Sequence, residues 1–161
     1  MTLPNDVDFT FQLWPHGWST ARLWVDNDST EFQLTHVFND PLESLLTSTI
    51  RLLNGEPSAI IEWFDEPGKY NVILTELESE CHLLSVDVFE SPLEFSTQTS
   101  REMSKTRTFC VAREYWLHLV ISELRKIADS FGHRHYRTAR NYTFPRILYD
   151  ELQTSIRNRG T

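Results

Sequence analysis

Phe9, Phe11 and Leu13 alternate with Thr10 and Gln12, and the same period of two returns in four further short segments. Such alternation puts apolar side chains on one side of a strand and polar ones on the other, the signature of a half-buried β-sheet. The second segment carries Ala21, Leu23 and Val25, and the third Phe32, Leu34, His36 and Phe38. Trp14-Pro15-His16-Gly17 and Asp26-Asn27-Asp28 supply the reversals between them, so the first third reads as an antiparallel meander.

Asn39-Asp40-Pro41-Leu42-Glu43 then opens a helix. Asp40 is placed to cap the free N–H groups, Pro41 fits the first helical position and Glu43 occupies the capping-box site. Leu42, Leu45, Leu46, Thr49, Ile50 and Leu53 line one face, and Gly55 is placed to end the helix in the left-handed conformation. Three more strands follow. Ala59 to Phe64 is nearly continuous in apolar character and reads as a central strand. Glu66-Pro67-Gly68-Lys69 suits a type II turn. Tyr70, Val72 and Leu74, then His82, Leu84, Val86 and Val88, alternate again.

Residues 90–108 read as one long irregular stretch, a linker or a loop over a ligand or partner. Phe109, Ala112, Trp116, Val120, Leu124, Ile127 and Phe131 then form an apolar stripe at helical spacing, with Gly132 as its stop. A short helix follows Phe144-Pro145, with Ile147, Leu148, Leu152 and Ile156 as its apolar set and a frayed tail from Arg157. The expected order is βββ-α-βββ-α-α. It describes an α+β fold, a mostly antiparallel sheet of about six strands with helices packed on one face. The two βββα blocks raise a duplication at the level of architecture. No linker or second core divides the chain, so residues 1–161 are expected to form a single domain.

Charge is distributed unevenly. Residues 1–100 hold three bases and 17 acids, a net of −14, and residues 101–161 hold 12 bases and six acids, a net of +6, which together make the −8 of the whole chain. Asymmetry of this kind points either to partner binding or to two halves that neutralise each other. Cys81 and Cys110 are too few for a disulfide framework and read as reduced, partly buried thiols. Neither a signal peptide nor a spanning segment is evident, so the expected location is the cytosol.

The motifs of several large enzyme classes are missing: no GxGxxG, no phosphate loop, no Gly-x-Ser-x-Gly elbow, no CxxC pair and no HExxH. That leans away from catalysis. No cofactor is expected, and no metal: His133 and His135 could face one way on an extended segment, but Arg134, Arg137 and Arg140 around them repel a cation. Those arginines, with Arg146, interleave with Tyr136, Tyr142 and Phe144 and form the alternative site, one for phosphate or nucleic acid. The acidity of the chain opposes nucleic acid. A second alternative is an enzyme or small-ligand binder with its pocket near residues 90–108.

The densest constellation is Trp63-Phe64-Asp65-Glu66-Pro67-Gly68-Lys69-Tyr70, an acidic hairpin tip between bulky aromatics. Asp65 and Glu66 could serve acid–base chemistry, but adjacent residues on a strand face opposite ways. A hairpin, or a contact surface built from Trp63, Asp65, Glu66 and Tyr70, accounts for them better. Set between the Asn39-Asp40-Pro41-Leu42 helix start and the late Phe144-Pro145-x-x-Leu148 helix, this segment resembles small bacterial proteins of the immunity type, which neutralise polymorphic toxins. The resemblance covers most of the chain in element order. It implies a cytosolic binding protein with no catalytic residue and a protein partner, a toxin or nuclease. An acidic surface suits a basic partner of that sort, because complementary charge speeds encounter. An open sheet also leaves edges through which a homodimer could form.

Overall fold

The computed structural model describes residues 3–66, 68–92, 103–130, 136–137 and 143–159. It is an α+β fold with two antiparallel sheets. The first sheet has the order β1 (Val7–Leu13), β2 (Ser19–Val25), β3 (Asp28–Leu34). The second has the order β4 (Ser58–Phe64), β5 (Gly68–Leu77), β6 (Glu80–Pro92), β7 (Ser104–Ala112). Helix α1 (Pro41–Leu53) joins the sheets, and α2 (Arg113–Ser130) and α3 (Arg146–Arg159) follow them. No helix among the described residues is long and apolar enough to cross a membrane.

The alternation read from the sequence is the alternation of burial. Val7, Phe9 and Phe11 face Val25, Leu23 and Ala21 in register, with Phe32 beside Ala21. In the second sheet Ile61 pairs with Val72 and Val72 with Val88, while Ala59, Leu74, Val86 and Phe109 form the next row. These inner faces belong to one hydrophobic core. Trp63 sits at their junction, its ring 5.4 Å from Phe32, 6.1 Å from Phe11 and 6.5 Å from Phe9. Trp116 of α2 closes on Phe9 at 5.9 Å.

Asp40 and Pro41 take their expected places at the start of α1. The Asp40 carboxylate accepts the Leu42 N–H at 2.9 Å and Pro41 opens the first turn. At the other end Gly55, at φ +87°, donates to the Leu52 carbonyl, and Glu56 donates to that of Arg51. These two bonds satisfy carbonyls that the helix leaves open.

Several expectations are corrected. The described residues form seven strands in two sheets. The extra strand, β7, begins inside the stretch read as irregular, and β6 runs to Pro92; residues 93–102 lie outside the described residues. The apolar residues of β7 are consecutive, Phe109, Cys110 and Val111, so they show no period of two. Phe109 also falls in phase with the stripe of α2, which made the helix seem to start four residues early. A fourth strand in the second block breaks the βββα repeat. β4 lies at the edge of its sheet, and Ile60 faces out. β3 stops at Leu34, which leaves His36 and Phe38 in the connection to α1. The β4–β5 turn is not type II: its Gly68 is absent from the left-handed region, which holds Gly17 and Gly55 among the described glycines. α3 continues to Arg159 without fraying and presents Ile147 to solvent. Cys81 is exposed and Cys110 buried.

Side chains occupy backbone groups on the outer edges of β1 and β4. On β1, Tyr115 donates to the Val7 carbonyl at 3.0 Å, and Glu123 accepts the Phe11 N–H at 3.4 Å. Asp8 takes the N–H of Phe9. On β4, Ser44 accepts the Glu62 N–H and Asn39 donates to its carbonyl. Each group occupied in this way is withheld from pairing with another strand.

Among the described glycines, Gly17 is the one where both conformation and space are exhausted. Its φ is +86°, and a Cβ built there would overlap the His36 imidazole. Gly17→Ala is expected to cost more than about 2 kcal/mol, from left-handed strain plus the clash, read as a drop in the urea midpoint. A loss under half that value would show that the turn can refold around a side chain.

Candidate functional site: an aromatic and acidic end face

Three connections meet at one end of the molecule. The β1–β2 turn carries Trp14 to Trp18 and is closed by a 2.9 Å bond from Trp14 N to Trp18 O. Gly17 of this turn lies against His36 of the β3–α1 connection. That connection in turn meets the β4–β5 tip, where Thr35 N donates to Phe64 O at 2.8 Å and Thr35 Oγ1 lies 3.2 Å from Glu66 Oε1. The Phe38 ring packs on Phe64 at 5.3 Å.

What this end shows to solvent is unusual in kind. Trp14 is 49% exposed, Trp18 37%, Val37 59% and Phe38 61%. Scattered single apolar residues are normal on a surface, whereas several on adjoining loops mark an interaction site. Acids border them. Glu66 is exposed. Asp65 is half-buried, accepts the Glu66 N–H at 2.7 Å and lies 3.5 Å from the Tyr70 hydroxyl. Tyr70 is pushed up to about 12, by burial first and then by the negative charges of Asp65 and Glu90. The phenol therefore stays protonated throughout the physiological range, as a donor in an acidic setting. Lys69 turns to the outer sheet face, where it pairs with Glu62 at 2.5 Å and covers the Phe64 ring.

Of the four residues expected to form a contact surface, Asp65 and Glu66 are at the tip and Tyr70 stands half-buried behind them, edge-on to Phe32. Trp63 is corrected: it is 1% exposed, with its indole N–H donated to the Pro41 carbonyl at 2.9 Å. Alternation along β4 decides this, because Trp63 shares the inward phase of Ala59 and Ile61. The residues that the sequence reading missed are Trp14, Trp18, Val37 and Phe38. Trp14 and Trp18 bracket a Pro-Gly turn and belong to no strand period, a usable sign that they face out. Phe38 was hidden by its phase, which continues that of Phe32 and Leu34.

The alternative basic site loses two of its three stacking faces. Tyr136 and Phe144 are buried and pack edge to face at 5.4 Å, so neither ring can receive a base. Arg137 is exposed, and Arg146 pairs with Asp150 at 3.1 Å. Arg134, Arg140, Tyr142, His133 and His135 lie outside the described residues. Among the described residues no group of three or more His, Cys, Asp or Glu is arranged to hold a metal ion.

The two charge halves touch. Arg107 pairs with Asp28, Arg113 with Glu76, and Lys105 with Asp87 at 3.0 Å. The basic half thus spends part of its charge inside the fold. Asp65 and Glu66 at the end face are joined to none of these three pairs.

No family model and no curated protein matches this sequence. Among solved structures, the chain is similar to one in the CdiA-CT/CdiI toxin and immunity complex from Enterobacter cloacae. The identity is 12% and the TM-score 0.48, over 74% of this chain and 99% of that one.

Proposed function

We propose that this chain is a non-enzymatic binding protein of the immunity type, which works in the cytosol and engages a basic protein partner, a toxin or nuclease, through its aromatic and acidic end face. The observation that carries the reading is the gathering of Trp14, Trp18, Val37 and Phe38 beside Asp65 and Glu66. Tryptophan is over-represented among residues that dominate binding energy, and such residues work best inside a rim that excludes water. The acidic rim supplies steering toward a cationic partner. Tyr70 supports the tip from behind, and Trp63 supports it from the core.

Charge reversal and truncation separate these contributions. With a basic nuclease toxin as the captured partner, Asp65→Lys with Glu66→Lys is expected to slow association at least tenfold at low salt and to lose most of that effect at high salt. Phe38→Ser with Trp18→Ser is expected to speed dissociation at least tenfold at any salt. Surface-capture kinetics measure both. Rates unchanged in both variants would remove this surface from the interface.

A further inference from the structure

A second concave surface lies between α2 and α3, near the C-terminal end of α1. Its α1 residue, Leu53, is about 20 Å along the helix from the Asp40 cap, and the surface shares no residue with the end face. Here the described residues leave a cleft of about 550 Å³, within the range of small-molecule sites. Its floor is apolar, with Leu53 and Leu117 buried and Ile121 and Ile156 half-buried. Its rim is polar and holds two guanidinium groups, Arg125 and Arg159, against a single carboxylate, Glu114.

The Glu114 carboxylate holds Arg159 at 2.8 Å, which fixes that guanidinium at the mouth and leaves the rim with one positive charge in excess. His118 and Ser122, one and two turns along α2 from Glu114, add further hydrogen-bonding groups on the same helix face. Asp129 stands one turn beyond Arg125, outside the lining residues. On a chain of net charge −8, a cleft with a surplus of cation selects its occupant. An apolar floor wants a hydrocarbon or aromatic body, and a guanidinium rim wants a planar anion that it can grip in a bidentate manner. We infer that the α2–α3 cleft is a binding site for a small amphiphilic carboxylate, an alkyl or aryl chain lying on Leu117, Ile121 and Ile156 with its anionic head at Arg125 and Arg159.

The full-length chain tests this directly. A fluorescent aryl sulfonate, 8-anilinonaphthalene-1-sulfonate, is titrated in and then displaced by decanoate or by decanol. Decanoate is expected to displace it at a concentration about tenfold below that of decanol, since only the acid gains charge-assisted hydrogen bonds. In Arg125→Gln with Arg159→Gln that preference should vanish while the melting temperature holds. Ser122→Trp, which fills the cleft without touching the rim charges, should abolish displaceable probe binding. Equal competition by decanol and decanoate, or an unchanged preference in the double glutamine variant, would overturn the assignment. So would displacement by an acidic amphipathic peptide but not by decanoate, which would give the cleft to a partner helix instead.

Discussion

Replacement of Arg113 by methionine is expected to destabilise the fold by about 3–5 kcal/mol, the range for removing one partner of a buried ion pair. Arg113 opens α2, and its side chain is 9% exposed. One end of its guanidinium pairs with Glu76 of β5. The other donates to the Leu52 carbonyl at 2.5 Å and to the Glu56 carbonyl at 3.1 Å. A single side chain therefore joins the C-terminal turn of α1, the second sheet and α2. Methionine keeps the volume and takes the guanidinium away from the Glu76 carboxylate and the Glu56 carbonyl, while the Leu52 carbonyl keeps its bond from Gly55. Glu76→Gln in the same background should recover part of the loss, because the stranded charge is then gone, and the two substitutions should fall well short of additivity. Urea denaturation of the four proteins gives the coupling. A loss below about 1 kcal/mol for the methionine variant would mean that water replaces the guanidinium without difficulty.

Trp63→Ala is expected to cost about 3–5 kcal/mol as well, for a different reason: it empties the junction between the sheets. Phe9, Phe11 and Phe32 all face this indole. At the sensitivity of a chain this size, the melting temperature should drop by roughly 10 °C. Trp63→Phe keeps most of the packing and loses the bond to Pro41, so it should cost about 1–2 kcal/mol. The phenylalanine variant also tests the role of the residue. A core tryptophan changes stability and leaves the affinity of the folded protein alone. A tenfold weaker partner in Trp63→Phe, measured well below its melting temperature, would return Trp63 to the interface.

Where a residue's neighbours in sequence set its environment, the sequence was a good guide. The alternation of β1, β2, β5 and β6 and the cap of α1 are local devices, and they stand as read except at the start of β6, where His82 is exposed and Leu83 buried. Where the environment comes from distant chain, the reading failed in a consistent direction. β7 pairs with β6 across the 93–102 connection, and its polar first half, Ser104 to Thr108, carries no pattern because it lies exposed at an edge. A tryptophan beside acids reads as a surface anchor, but the core that Trp63 fills is assembled from β1 and β3. The end face was half legible: Asp65 and Glu66 declared themselves by their turn, whereas Val37 and Phe38 join them only because β3 ends beside β4.

The occupied edge of β1 carries a cost in time. Two of the groups that occupy it, Tyr115 and Glu123, are 108 and 112 residues downstream of their partners. At translation rates of about 5–20 residues per second, the meander leaves the ribosome roughly 5–20 s before these groups exist. During that interval three complete strands with an apolar face and an open edge must wait for α2. The nascent chain is open to strand-by-strand self-association then, and slow synthesis should lower its soluble yield.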